Sequence, residues 1–336
     1  MTATITLVVV ICVIALIFDF TNGFHDAANA IATSVATRAL STRQALTLAA
    51  VMDFVGAMLG TGVAETIGGG IINTHDMDDV GLVIVLGALI GAIAWNMITW
   101  WFALPSSSSH ALIGALAGAG VVGAAAVNWS VIVDKVVVPM VVSPLVGFIL
   151  AYFVMKIVLR FLHKATYRAT MRGFRRAGIA AAAAMALGHG LQDAQKTMGV
   201  VMLALTAGNL VAPDAGIPLW VKIAAATAIS LGTFTGGQRI MKTLGNKIID
   251  MDPSRGFVAQ MVSASVLYTT AFVWTAPIST THVVTTSIMG VGATKRKSAV
   301  RWAITRSIVS AWIFTLPAAG VLSGGITWGL LHVIPV

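Results

Sequence analysis

Residues 19–29 read DFTNGFHDAAN, at the end of an apolar run that begins near Ile5. A run of this kind can cross a bilayer, which takes about 20 apolar residues. Yet it carries Asp19, Asn22, His25, Asp26 and Asn29, and polar groups at membrane depth are costly unless they serve a pathway or a site. Lipid offers such groups no hydrogen-bond partners, so the stretch must be buried against other protein. A second stretch, GHGLQDAQK at residues 188–196, has the same form.

Composition extends the membrane reading to the whole chain. The 336 residues are 57% hydrophobic and 10% charged, with mean hydropathy +0.91. A soluble domain carries about 25% charged residues. The apolar runs are continuous rather than alternating, which excludes a membrane barrel. The net charge of +9 does not indicate nucleic acid, because the basic residues gather in short segments between apolar runs, the positive-inside pattern. The only cysteine, Cys12, lies in an apolar run and cannot form an internal disulfide. Residues 1–4 lack a basic leader, so no signal peptide is expected.

The charges order the spans. Arg38 and Arg43 place the end of the first span in the cytoplasm. A second span is expected over residues 44–72, with Asp53 and Glu65 on it, and a third over 80–103. The acidic segment 75–79 then lies outside. Lys156, Arg160, His163, Lys164, Arg168, Arg172, Arg175 and Arg176 form a central basic loop, expected in the cytoplasm. Both termini are expected outside.

The second half repeats the first. GFHDA at Gly23 matches GLQDA at Gly190, ETIG at Glu65 matches KTLG at Lys242, and PSSSSH at Pro105 matches PISTTH at Pro277, offset by 167, 177 and 172 positions. Three matches in one order imply an internal duplication. An odd number of crossings per half then makes the repeats inverted, as in many secondary transporters. The expected fold is therefore an all-α polytopic membrane protein of two inverted-topology repeats. Each has about five spans, with broken or re-entrant helices at the two Pro-Ser/Thr motifs. Residues 1–155 form the first repeat, 156–176 the basic linker and 177–336 the second repeat.

The Pro-Ser/Thr motifs carry the most chemistry. Pro105 and Pro277 are expected near the first turn of half-helices, with serine as N-cap. Ser106, Ser107, Ser108 and Ser109 in one, and Ser279, Thr280 and Thr281 in the other, offer a neutral cradle of donors. Free N–H groups and the helix dipole suit such a cradle to an oxyanion. A local Ser/Thr kink is the plainer alternative. His110 and His282 end the motifs, either as helix caps or as proton relays. Asp26 and Asp193, with Asn22, Asn29, Gln192 and Gln195 nearby, suit a coupling cation, Na⁺ or H⁺. Asn29 and Lys196 occupy equivalent positions, and Lys196 either neutralises an anion or pairs with Asp193. Glu65 is assigned to the path. An intramembrane hydrolase is disfavoured: no GxSxG or HExxH occurs, and the serines come in duplicated runs. A channel fits broken helices in inverted repeats less well than alternating access does.

NGFHDAANAIAT (22–33), AETIG (64–68), LPSSSSHALIGALAG (104–118), GLQDAQKTMGVVML (190–203), DPSRGF (252–257) and PISTTHVVTTSIMGVG (277–292) resemble the PiT-type inorganic phosphate transporter family, in its compact bacterial form. The resemblance implies symport of inorganic phosphate with a cation. It places Asp26, Asn29, Asp193 and the Ser/Thr residues of both motifs at the family's substrate and ion positions. Asn22, His25 and Gln192 join the cation side, and Gln195 the substrate side. His25 and Gln192 stand where many members have asparagine, and Gln260 where a carboxylate is common. These departures favour H⁺ over Na⁺, with phosphate carried partly as a neutral complex of a divalent metal. Sulfate is the alternative anion. No cofactor is expected. The expected setting is the cell (inner) membrane, with the lipid bilayer as partner and a homodimer as one allowed assembly.

Overall fold

The computed structural model describes residues 2–74, 77–163, 166–212, 215–296 and 299–334, nearly all in helices. In order these are α1 (Thr2–Ala36), α2 (Thr42–Ala57), α3 (Gly62–Gly70), α4 (Asp78–Trp101), α5 (Ser108–Val122), α6 (Trp129–Ile132), α7 (Val138–Leu162), α8 (Tyr167–Ala207), α9 (Leu219–Thr235), α10 (Gln238–Lys242), α11 (Pro253–Thr269), α12 (Thr280–Ala293) and α13 (Trp302–Val333). Two short strands, β1 (Ile72–Asn73) and β2 (Ala126–Val127), pair antiparallel.

The outer surface is apolar. On α7, Val141, Leu145, Ile149, Phe153, Ile157 and Phe161 recur every four residues and are all exposed, while Ser143, Gly147, Ala151 and Met155 form the buried stripe behind them. An exposed stripe of this kind is stable only in a lipid environment or an interface. Among the described residues, five helices are long and apolar enough to cross a membrane, and the bent pair α2–α3 makes a sixth. Two other expected crossings contain shorter helices, α5 and α9. The polar stretch on α8 lowers that helix's hydropathy although it is 41 residues long.

Several expectations change. The span expected over 44–72 breaks at Met58–Thr61, where the chain turns by 69°. Gly56 explains part of this path: a Cβ there would lie 2.0 Å from Leu187 O, so only glycine lets α2 cross α8 so closely. Pro105 and Pro277 are not in the first turn. Both precede the N-caps, Ser107 and Ser279, by two residues, and their half-helices begin at Ser108 and Thr280. The caps set the start: Ser107 and Ser279 are extended, and their hydroxyls accept from His110 N and His282 N. The expected central loop is largely helical: α7 runs through Arg160, and α8 starts at Tyr167 and includes Arg168, Arg172, Arg175 and Arg176. Lys164 lies outside the described residues, as do His75, Asp76 and Lys297.

Packing pairs come in twos with the halves exchanged. α1 packs on α9 and α8 on α2; α5 packs on α13 and α12 on α7; α4 packs on α5 and α11 on α12. Two apolar clusters form the interior. α1 enters the first through Ile11, Ala15 and Phe18 and the second through Ala27 and Ile31; α8 meets the second through Met185 and Ala186 and the first through Ala194 and Met198. The two helices therefore run in opposite directions past the junction of the clusters. That junction holds the polar stretches.

Candidate functional site

Close helix crossings deliver the site's side chains. Gly23 and Gly190 each stand three residues before a signature aspartate. A Cβ at Gly23 would lie 2.3 Å from Ile229 O, and one at Gly190 would lie 2.1 Å from Asp53 O. Without side chains there, α9 and α2 press directly on α1 and α8, as small residues permit between membrane helices.

Asp26 is the meeting point. It is 2% exposed. Ser108 Oγ of α5 donates to its Oδ2 at 3.1 Å, Thr281 Oγ1 of α12 lies 3.4 Å from its Oδ1, and His25 Nδ1 lies 2.6 Å from the same oxygen. The first turns of both half-helices thus converge on one carboxylate. Asn29 Nδ2, on the same face of α1, donates to Thr281 Oγ1 at 2.8 Å and to Thr280 Oγ1 at 3.4 Å. Ser107 and Ser279 cap their helices by accepting from His110 N and His282 N, each at 3.2 Å. Ser109 Oγ ties the two motifs by donating to Ile278 O at 3.0 Å. Ser106 Oγ donates to Thr99 Oγ1 at 2.8 Å, and Thr99 Oγ1 lies 3.3 Å from His25 Nε2.

Asp193 faces this group from α8. Lys196 Nζ lies 3.0 Å from its Oδ2 and donates to Ser108 Oγ at 3.0 Å. Asn22 Nδ2 of α1 donates to the same carboxylate oxygen at 3.3 Å. The ligand atoms of Asp26, Asp193 and His189 lie within 4.8 Å of one another, close enough to share a cation. Buried charges of opposite sign so arranged compensate each other's desolvation.

Not every expected residue joins. Gln192 turns away and donates to Thr270 Oγ1 at 3.0 Å, anchoring α8 to the end of α11. Gln195 accepts from Val63 N at 2.8 Å and Ala64 N at 3.2 Å, so it caps α3 rather than facing the cradle. Glu65 is exposed, accepts from Thr61 Oγ1 at 3.2 Å, and lines a separate cavity of about 500 Å³ with Asn73, Thr74 and Thr206. His110 and His282 pack edge to face with ring centroids 4.8 Å apart. His282 stacks on Trp312, whose Nε1 donates to Pro105 O at 2.9 Å.

Asp53, His189 and Thr233, which are not among the expected site residues, complete the site. His189 Nδ1 lies 3.0 Å from Asp53 Oδ1 and its Nε2 lies 3.4 Å from Asp193 Oδ2. Thr233 Oγ1 of α9 donates to Asp53 Oδ2 at 2.6 Å. The signal existed: an aspartate inside an apolar span, and a histidine one turn before Asp193. Asp19 is fully buried on α1, near the charges of Asp193, Lys196 and His189.

A lipid-faced helical protein with two half-helix termini converging on buried, paired carboxylates belongs to the class of polytopic membrane transporters. The particular family follows from comparison. Residues 22–323 match the phosphate transporter family, and the chain belongs to it. Similar proteins include probable low-affinity inorganic phosphate transporters of Bacillus subtilis (45% identical, covering 98% of each chain) and Rhizobium meliloti (43%, 96% of each). One from Mycobacterium bovis is 44% identical over 98% of this chain and 78% of its own. A solved structure titled as the sodium-dependent phosphate transporter superposes with TM-score 0.88 at 26% identity, covering 98% of this chain and 100% of that one. The family consists of transporters, not enzymes.

Proposed function

We propose that this chain imports inorganic phosphate by cation symport, with H⁺ as the coupling ion and alternating access between the two halves. One observation carries the reading: Ser108 and Thr281, from the first turns of two separate half-helices, both contact the Asp26 carboxylate. Hydroxyls and N–H groups at those termini bind the anion. A protonated phosphate oxygen can donate to a carboxylate, whereas sulfate brings no proton at neutral pH. This favours phosphate over sulfate.

The His25–Asp26 contact supports the proton. At 2.6 Å, the ring nitrogen contacts the Asp26 Oδ1 that a metal ion would otherwise coordinate. Na⁺ is the second reading. It draws on the sodium dependence named for the similar solved structure and on the closeness of the Asp26, His189 and Asp193 ligand atoms. The opposite courses of α1 and α8 favour inverted repeats, which rock about a fixed midplane site. The basic starts of α8 and ends of α7 belong in the cytoplasm, with both termini outside, in the cell's inner membrane. A divalent metal travelling with phosphate as a neutral complex suits the same cradle.

Uptake of labelled phosphate into proteoliposomes under an imposed H⁺ or Na⁺ gradient tests this. Accumulation under the H⁺ gradient is expected. Accumulation under Na⁺ alone would replace the coupling ion, and accumulation of sulfate but not phosphate would overturn the substrate.

A further inference from the structure

The two halves treat equivalent positions differently. Asn29 follows Asp26 by three residues, and Lys196 follows Asp193 by three. On a helix that spacing puts each on the face of its aspartate. Asn29 offers an amide oxygen with no hydrogen-bond partner, beside a carboxylate contacted by His25, Ser108 and Thr281. Lys196 instead offers a fixed positive charge, 1% exposed and 3.0 Å from both Asp193 Oδ2 and Ser108 Oγ. An ammonium carries the charge of a monovalent cation but is tethered by its stem, and it donates where an ion would be coordinated. Two of its three N–H groups are engaged, and the third is available to an anion in the cradle. Ser108, which accepts from Lys196 and donates to Asp26, links the two half-sites.

We propose that the Lys196 ammonium is a resident cation. It occupies, on the second half, the place that a mobile coupling cation takes on the first, so one mobile cation rather than two accompanies each phosphate. This rests on the cation-coupled phosphate reading above. Asp193 then needs no ion to remain charged and buried, and its loading does not vary through the cycle. Only the Asp26 half-site senses whether a cation is bound.

The test measures binding of labelled inorganic phosphate to purified full-length protein at fixed pH, in sodium chloride and in choline chloride. Lys196→Asn recreates the amide of the first half, and Lys196→Met removes the charge without supplying an oxygen. Phosphate affinity in choline is expected to fall at least about tenfold in both variants, the scale of losing one partner of a buried charge pair. Sodium restores the asparagine variant and not the methionine variant. The sodium-to-choline affinity ratio of Lys196→Asn thus exceeds that of wild type by about tenfold, whichever ion couples at Asp26. Wild-type affinity in Lys196→Met, or equal weakness of Lys196→Asn in both salts, would overturn the proposal. Lys196→Arg, retaining the charge, controls for folding by its gel-filtration profile. If the neutral variants do not fold, wild-type proteoliposomes free of divalent metal still decide: uptake at mildly acidic pH, where phosphate carries one charge, is expected to be insensitive to membrane potential. Uptake driven by an inside-negative potential means a second mobile cation and overturns the proposal. The underlying reading fails separately, through wild type that accumulates no phosphate under any gradient.

Discussion

Asp53 Oδ1 lies 3.0 Å from His189 Nδ1, and both side chains are fully buried. The contact joins α2 to α8 and, through His189 Nε2, reaches Asp193 of the candidate site. Removing one partner of a buried pair leaves the other uncompensated and costs about 3–5 kcal/mol. Asp53→Ala is therefore expected to lower the thermal midpoint of the detergent-solubilised protein markedly. Adding His189→Ala should cost less than the sum of the two single effects. Additive losses in that double-mutant cycle would mean the two groups are not coupled.

Asp26→Asn keeps the shape of the side chain and its ability to accept from Ser108, but removes the charge that a proton or Na⁺ must neutralise. Gradient-driven phosphate uptake is expected to fall by about a hundredfold or more, with the folded yield unchanged. Transport at the wild-type rate would remove Asp26 from the mechanism.

What the sequence made legible follows one rule. Asp26, Asp193 and the two Pro-Ser/Thr motifs stood out because polar residues in apolar runs are costly, and the structure brings Asp26, Ser108, Thr281, Asn29, Asp193 and Lys196 together. Which face of α8 each amide takes was not legible. Gln192 and Gln195 flank Asp193, yet one anchors α11 and the other caps α3. The break at Met58–Thr61 contains no proline; it holds Gly60, and Gly56 just before it lets α2 cross α8 closely. The arginines of 168–176 read as a loop by charge, but Arg and Ala are strong helix formers, and they extend α8 instead. Asp53 and His189 lie 136 positions apart, so only packing could pair them.

Gly190→Ala is expected to be far worse than a methyl group suggests. The added Cβ would meet Asp53 O at 2.1 Å, against backbone that cannot rotate away. Overpacking of this kind costs about 1–3 kcal/mol or more. It would also move Asp193. Gly69→Ala, with nothing within 4 Å of the added atom, serves as the control and should be near neutral. Equal yield and activity of the two variants would contradict the close α2–α8 crossing.

Asp252 caps α11 outside the membrane span. Partial burial pushes its carboxyl up, but bonds from Ser254, the Arg255 N–H and the Arg255 guanidinium outweigh this and hold it below the ordinary carboxylate range. A depressed native pKa contributes stability above the unfolded value of about 4. That contribution is lost as pH falls through the lower native value. With Asp252 28% exposed, the amount is below about 1 kcal/mol. Asp252→Asn is expected to keep the cap and lose this acid-range slope in thermal midpoint against pH. An unchanged slope would place the acid sensitivity elsewhere.

Ser108 stands between the two half-sites, donating to Asp26 and accepting from Lys196. Ser108→Ala removes both contacts and leaves two buried charged groups each short of one partner, a loss of about 1–3 kcal/mol. Ser109, whose hydroxyl is committed to Ile278 O, makes no such link. Ser108→Ala is expected to raise the phosphate concentration for half-maximal uptake at least about tenfold and to weaken its dependence on the driving gradient. Ser109→Ala should alter stability more than coupling, because it loosens the join between the two motifs. Initial rates of labelled phosphate uptake across a concentration series, with and without the gradient, separate these outcomes. If the two variants shift affinity and coupling alike, the cradle acts as a single undifferentiated patch and Ser108 is not the link between the halves.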